Sequence, residues 1–176
     1  MWSTPSTFNT PFTEMKGNMW NEYNDCDGFV ITTNGYTKRN NAAVMGRGIA
    51  RQAKDSIPGL DMLLGHKIIE NGNITQWVTD KIIALPVKHT SEECVGDNVV
   101  KHLEHRYELY QEVPGWACKA SLFLIEHSIQ ELVILADTYN LKRIVLPRPG
   151  CGAGELKYQE QVRNILIQYL DDRFEV

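Results

Sequence analysis

The 176-residue sequence predicts an α/β fold, a three-layer α/β/α sandwich around a mixed, mostly parallel central sheet. Three observations carry this prediction. Apolar strand-like runs alternate with stretches of helical periodicity, in the order β-α-α-β-β-α-α-β-α with one further edge strand at the end. Two glycine-rich turns each fall just after a buried-type strand: Val44-Met45-Gly46-Arg47-Gly48-Ile49-Ala50 follows Phe29 to Asn34, and Gly150-Cys151-Gly152-Ala153-Gly154 follows Arg143 to Pro147. The length and a hydrophobic content of 43% suit one domain, residues 1–176, large enough to bury about 70% of its unfolded surface.

Taken in order, residues 1–11 are rich in Ser, Thr, Pro and Asn, a loose lead into an edge strand near Phe12 to Lys16 that Gly17-Asn18 turns. Asp27 to Thr33 reads as a strand ending in the loop signal Thr32-Thr33-Asn34-Gly35, which continues through Asn40-Asn41. Ile49, Ala50, Ala53 and Ile57 share one helix face, and Pro58-Gly59 stops that helix. A second helix covers Leu60 to Glu70 and ends at Asn71-Gly72. Ile74 to Val78 and Lys81 to Leu85 are short strands linked by Thr79-Asp80. Residues 89–118 form an insertion, broken by Gly96, Pro114 and Gly115, around a charged helical piece from Val99 to Gln111. Leu122, Ile125, Ile129, Leu132, Val133 and Ala136 make one helical stripe, and Val162, Ile165, Leu166, Tyr169 and Leu170 another. Phe174-Glu175-Val176 is the last edge strand.

Composition excludes several classes. A net charge of -4 and a pI near 5.7 give no basic footprint for duplex nucleic acid. The four cysteines form no C-x-x-C pair, so neither a disulfide framework nor a zinc ribbon is indicated and reduced thiols are the default. No signal peptide is recognisable, and no apolar run approaches the roughly 20 residues that span a bilayer. The expectation is a soluble, cytoplasmic monomer without a membrane partner.

In an open parallel sheet the carboxyl ends of the strands share one edge, where ligands bind. Glycines there expose N–H groups beside a positive helix start, which suits a phosphate or diphosphate. Gly46-Arg47-Gly48-Ile49-Ala50-Arg51 has Arg where a dinucleotide fingerprint has its third glycine, and neither turn ends in G-K-[ST]. Either turn alone serves tight packing equally well. Two at equivalent strand ends point to a ligand.

Asn34 after an apolar strand, then Met45 to Ala50, then Leu146-Pro147-Arg148-Pro149-Gly150-Cys151-Gly152-Ala153-Gly154-Glu155-Leu156, resembles the macrodomain family, which binds ADP-ribose. The likeness runs from Gly17 to Phe174. It implies that ADP-ribose lies between the turns, its diphosphate held by main-chain N–H groups of Gly46, Gly48, Ile49 and of Gly150, Cys151, Gly152, Ala153 and Gly154. Asn34 would orient the distal ribose, and Asn18 stands where many macrodomains carry an aspartate on the adenine amino group. Leu85-Pro86-Val87-Lys88 resembles the branch containing the DNA ADP-ribosylation antitoxins and terminal ADP-ribose glycohydrolases, whose catalytic lysine matches Lys88. Part of that branch uses an aspartate where this chain has Gly154, with Glu155 next to it; the antitoxin-like members have glycine there.

The implied activity is an ADP-ribosyl glycohydrolase releasing ADP-ribose from a modified protein or nucleic acid without a cofactor. The alternatives are a non-catalytic reader and an ADP-ribose 1″-phosphate phosphatase using a group such as His89. Asn34 also suits a plain turn. Lys88 needs desolvation or a nearby cation to leave its free value of about 10.4. Cys151, near a helix start, has the setting of a reactive thiol, but a small side chain between glycines also packs beneath a loop, and packing is the preferred reading. His89, Cys94, His102, His105 and Cys118 gather in the insertion, with His102 and His105 at i and i+3; a solvated helix, not a metal site, is expected. Tyr158 either lies near the distal ribose or opens the last helix.

Overall fold

Burial on both faces marks β1 (Gly28–Thr33) as the centre of the fold. The structure is a computed structural model that describes residues 10–176. Side chains alternate along a strand, so β1 sends Phe29 and Ile31 to one side and Val30 to the other. β3 (Ile82–Pro86) does the same, with Ile82 and Ala84 opposed to Ile83 and Leu85. The two strands run parallel in register from Phe29 opposite Ile82 to Thr33 opposite Pro86.

Helices cover both faces. On one side α1 (Gly48–Ser56) and α2 (Leu60–Asn71) bring Ala50, Ala53, Leu60 and Leu64 onto Phe29 and Ile31. On the other, α3 (Leu122–Thr138) and α4 (Arg163–Tyr169) bring Ile125, Ile129, Leu132 and Leu166 onto Val30 and Leu85. With β2 (Gln76–Thr79), β6 (Ile144–Val145) and β7 (Phe174–Glu175), the sheet has the order β2-β3-β1-β6-β7. β2 is antiparallel to β3; the other pairings are parallel. This is the expected mixed, mostly parallel three-layer arrangement. No helix among the described residues is long and apolar enough to cross a membrane.

The segment expected as a first edge strand pairs with β7, Thr13 opposite Glu175, through Thr13 N–H to Phe174 O at 3.0 Å and Val176 N–H to Thr13 O at 2.9 Å. Most of the loose lead expected over residues 1–11, its first nine residues, lies outside the described residues.

Two expectations change. The charged piece from Val99 to Gln111 is helical only as a 3-10 turn over Lys101–Arg106, because its start is held extended by pairing of Val99 with Cys118 and by Val100 N–H to Ala117 O at 2.9 Å. The insertion instead folds as a small ribbon of β4 (Ser91–Glu93) and β5 (Glu112–Pro114) over its own cluster of Cys94, Val99, Val113, Ala117 and Cys118. The second glycine turn also does not run straight into a helix. Lys157 is extended, and a π turn over Tyr158–Val162 precedes α4.

Gly65 of α2 lies where a Cβ would stand 1.7 Å from the Asn41 carbonyl oxygen, so the loop leading to the first glycine turn rests directly on the helix. An interior helical Gly→Ala change normally stabilises by about 1 kcal/mol. Gly65→Ala is expected to do the opposite, lowering stability in denaturant titration by about 1–3 kcal/mol as the loop is forced off.

Candidate functional site

The carboxyl ends of β1 and β6, neighbours in the sheet, open into a cavity of about 290 Å³ that both glycine turns line. Asn34 follows β1 directly. Its Nδ2 donates to Val44 O at 3.1 Å and its Oδ1 accepts from Tyr36 N–H at 3.0 Å, so the side chain ties its own turn to the first glycine turn while facing the cavity.

The first turn delivers the start of α1. Arg47, at the N-cap, is extended and supplies no side-chain cap, so the first N–H groups of α1, including those of Gly48, Ile49 and Ala50, have no partner within the helix. Together with the helix dipole they make a positive end at the cavity wall. Gly46 and Gly48 leave open space where a Cβ would stand, and Gly48 has a φ of +57°.

The second turn closes on itself. Leu156 N–H reaches Gly150 O at 2.9 Å, Glu155 N–H reaches Gly152 O at 3.0 Å and Cys151 N–H reaches Arg148 O at 3.3 Å. Among the described residues, the N–H groups of Gly152, Ala153 and Gly154 find no main-chain acceptor. A Cβ on Gly154 would stand 2.5 Å from Gly150 O and 2.6 Å from the Ala120 methyl. No side chain, aspartate included, fits there without moving backbone. Neighbouring Glu155 turns away: its carboxylate accepts from Lys101 N–H at 2.8 Å, at the start of the 3-10 turn of the insertion.

Lys88 is 6% exposed and lines the cavity between the two turns. Its Nζ donates to Ala153 O at 3.1 Å and lies 3.5 Å from Trp116 O. Burial pulls the ammonium below the ordinary lysine value and outweighs the opposing pulls of Cys118 and Glu155; the Arg47 guanidinium adds a smaller push in the same direction as burial.

Other expected residues sit elsewhere. Asn18 is exposed, lies outside the cavity lining and caps the 3-10 turn Met19–Glu22 through Trp20 N–H at 3.0 Å. Cys151 does not line the cavity; its thiol packs on the core, 3.4 Å from Pro149 O, and burial pushes it up to about 11. Tyr158 opens the π turn, and its ring carries the Arg148 guanidinium at 4.2 Å. Arg148 lines the cavity although it is only a spacer in the motif as read. His89 lines no cavity described here. Among the described residues, no three His, Cys, Asp or Glu side chains come together as metal ligands.

The insertion supplies what sequence reading missed. Trp116 lines the cavity, and a Cβ on Gly115 would stand 2.0 Å from His89 O and 2.8 Å from Asn34 O, so the insertion is pressed onto the end of β1. A second cavity, about 340 Å³, opens beyond Lys88. Arg47, Lys88, His102, Arg106 and Trp116 line it, and Arg47 Nη2 donates to His102 Nε2 at 2.8 Å. No signal for this wall existed in residues read singly, since it forms only when the insertion folds back.

No protein-family model matches the chain. No curated protein matches it in sequence. Solved structures do match. The macrodomain of Mycobacterium tuberculosis DarG aligns at 19% identity over 93% of this chain and 96% of its own, with a TM-score of 0.59. The macrodomain of Thermus aquaticus DarG aligns at 18% identity over 93% and 95%, with a TM-score of 0.61. Thermosipho africanus DarTG in complex with ADP-ribose aligns at 14% identity over 93% of this chain and 40% of its own, with a TM-score of 0.64. At these identities the likeness is one of architecture, and that architecture, over nearly the whole chain, is the macrodomain fold.

Proposed function

We propose that the chain binds ADP-ribose between the glycine turns and hydrolyses its linkage to a modified macromolecule. The observation that carries this reading is the position of Lys88: buried, partly stripped of water and set where the diphosphate-sized cavity meets a second, cationic one. The likeness to a structure that holds ADP-ribose supports the ligand. The free N–H groups of both turns and the start of α1 suit its diphosphate.

A neutral amine has two N–H donors and one lone pair. The carbonyls of Ala153 and Trp116 take the donors, which leaves the lone pair to attack C1″. In this reading the N–C1″ bond forms as the bond from C1″ to the acceptor breaks, and the departing group takes the bonding pair and a proton from water. Water then cleaves N–C1″, returning the amine and free ADP-ribose. The acceptor lies in the second cavity, whose Arg47, Arg106 and Trp116 suit an anionic group beside a planar one, as a nucleotide presents.

ADP-ribose is expected to raise the melting temperature in proportion to the logarithm of its concentration. Gly152→Glu tests the turn without strain, since Gly152 has no positive φ and open space where the Cβ would stand. It should abolish the thermal shift and the calorimetric heat while keeping native circular dichroism. Retained affinity in the folded variant would make the turn a structural feature only.

Lys88→Ala should keep ADP-ribose affinity within a few-fold and lose at least about 10²-fold in hydrolysis of protein-linked or DNA-linked ADP-ribose. A wild type inactive on both acceptors would mark a reader.

Because burial lowers the Lys88 ammonium, the folded protein binds fewer protons than the unfolded chain between the folded value and the ordinary 10.5. Stability of the wild type relative to Lys88→Met should therefore rise with pH across that interval, and the hydrolysis rate should rise as the amine deprotonates. A flat difference in chemical denaturation from neutral to pH 10.5 would contradict a desolvated Lys88.

A further inference from the structure

Past the end of β3 the ladder with β1 stops, and each successive carbonyl is taken by a different part of the fold. Val87 N–H still reaches Thr33 O at 3.0 Å. The Pro86 carbonyl accepts from Ser128 Oγ of α3 at 2.7 Å, and the Val87 carbonyl from Ser121 N–H at 2.9 Å. The Lys88 carbonyl has no strand beside it, because β1 has already turned away at Gly35, whose φ is +71°. It accepts instead from Asn73 Nδ2 at 3.0 Å.

Asn73 lies between α2 and β2, far in sequence from either glycine turn. Its carboxamide lies flat on Gly35: a Cβ there would stand 2.3 Å from Asn73 Cγ and 2.5 Å from both of its terminal atoms. Its Oδ1 is buried and has no partner among the described residues. A side chain serving only to fill this space would avoid that cost by being apolar. The amide is kept there by what its donor does.

We propose that Asn73 is the positioning residue for Lys88, its carboxamide clamping the Lys88 peptide to the Asn34–Gly35 turn and so setting the distance between Lys88 and Asn34. The proposal rests on the reading of Lys88 as the group acting at the distal ribose. Without the clamp the Lys88 peptide itself has no tie to β1, and its neighbours hold on through Val87 N–H to Thr33 O at 3.0 Å and the longer Thr90 Oγ1 to Gly35 O at 3.4 Å; a small misplacement of a reacting group costs rate more than binding.

Asn73→Asp keeps the shape and removes the donor, and Asn73→Ala removes the whole amide. Both are expected to lower kcat by about 10- to 100-fold, leaving KM and ADP-ribose affinity within a few-fold. Gly35→Ala drives a methyl into the carboxamide and should lower kcat similarly; combined with Asn73→Ala it should add far less than the product of the two effects. An independent readout is the pH titration of the Lys88 ε-carbon in protein labelled with 13C-lysine, assigned through Lys88→Arg. In both Asn73 variants this signal should move toward the ordinary lysine range. If wild-type hydrolysis is absent, or Lys88→Ala keeps full activity, the catalytic reading falls, and the titration alone decides the clamp. An unchanged titration in either folded Asn73 variant overturns the proposal. So does a parallel loss of ADP-ribose affinity, melting temperature and rate, which is the mark of a residue serving stability alone.

Discussion

The parallel pairing of β1 with β3 on one side and β6 on the other decides where everything else falls. Parallel strands end on the same edge, so the segments after β1, β3 and β6 must emerge side by side. Those segments are the Asn34 turn, Lys88 and the second glycine turn. The start of α1 comes to the same edge because the loop from Asn34 returns over α2, resting on Gly65. A cavity of about 290 Å³ is the geometric result of four chain segments leaving a sheet at one edge with little side-chain bulk. The chemical groups are then local: on both turns, N–H groups without a main-chain acceptor among the described residues, and between the turns one buried amine.

Much of this was legible before the structure. Strands buried on both faces read as unbroken apolar runs, and Phe29 to Ile31 with Ile82 to Leu85 are such runs. The stripes of α1, α3 and α4 were visible because their apolar residues return on one face. The turns were visible because glycine is hard to explain otherwise at two strand ends. Lys88 stood out only through the four-residue run that ends in it, and nothing in its own neighbourhood foretold that Ala153, some sixty residues on, supplies its acceptor.

What was not legible shares one physical cause. The insertion has too few apolar residues to announce a period, so its small core is settled by contacts between Cys94, Val113 and Cys118 that only the fold brings together. Trp116, His102 and Arg106 become a cavity wall by that route. Asn73 is likewise silent, since an asparagine between a helix and a strand is what any turn would carry. Asn18 is the reverse case: it stands out by its place in a motif, and in the structure its side chain caps a short 3-10 turn outside the cavity lining.

Gly154 shows how the two kinds of information combine. By sequence it stands where part of the branch the chain resembles has an aspartate and the antitoxin-like members have glycine. In the structure its Cβ position is already occupied by the Gly150 carbonyl and the Ala120 methyl, and its own carbonyl accepts from Ala120 N–H at 3.0 Å. The turn is therefore packed against the segment that leads into α3 in a way that forbids a side chain. Closing the turn this tightly also presents the Ala153 carbonyl to Lys88. A carboxylate would hold that lysine as an ammonium through charge; here the acceptor is an uncharged carbonyl that orients the side chain, and burial pulls the ammonium below its ordinary value. The bare backbone at Gly154 and the burial of Lys88 are thus two sides of one arrangement.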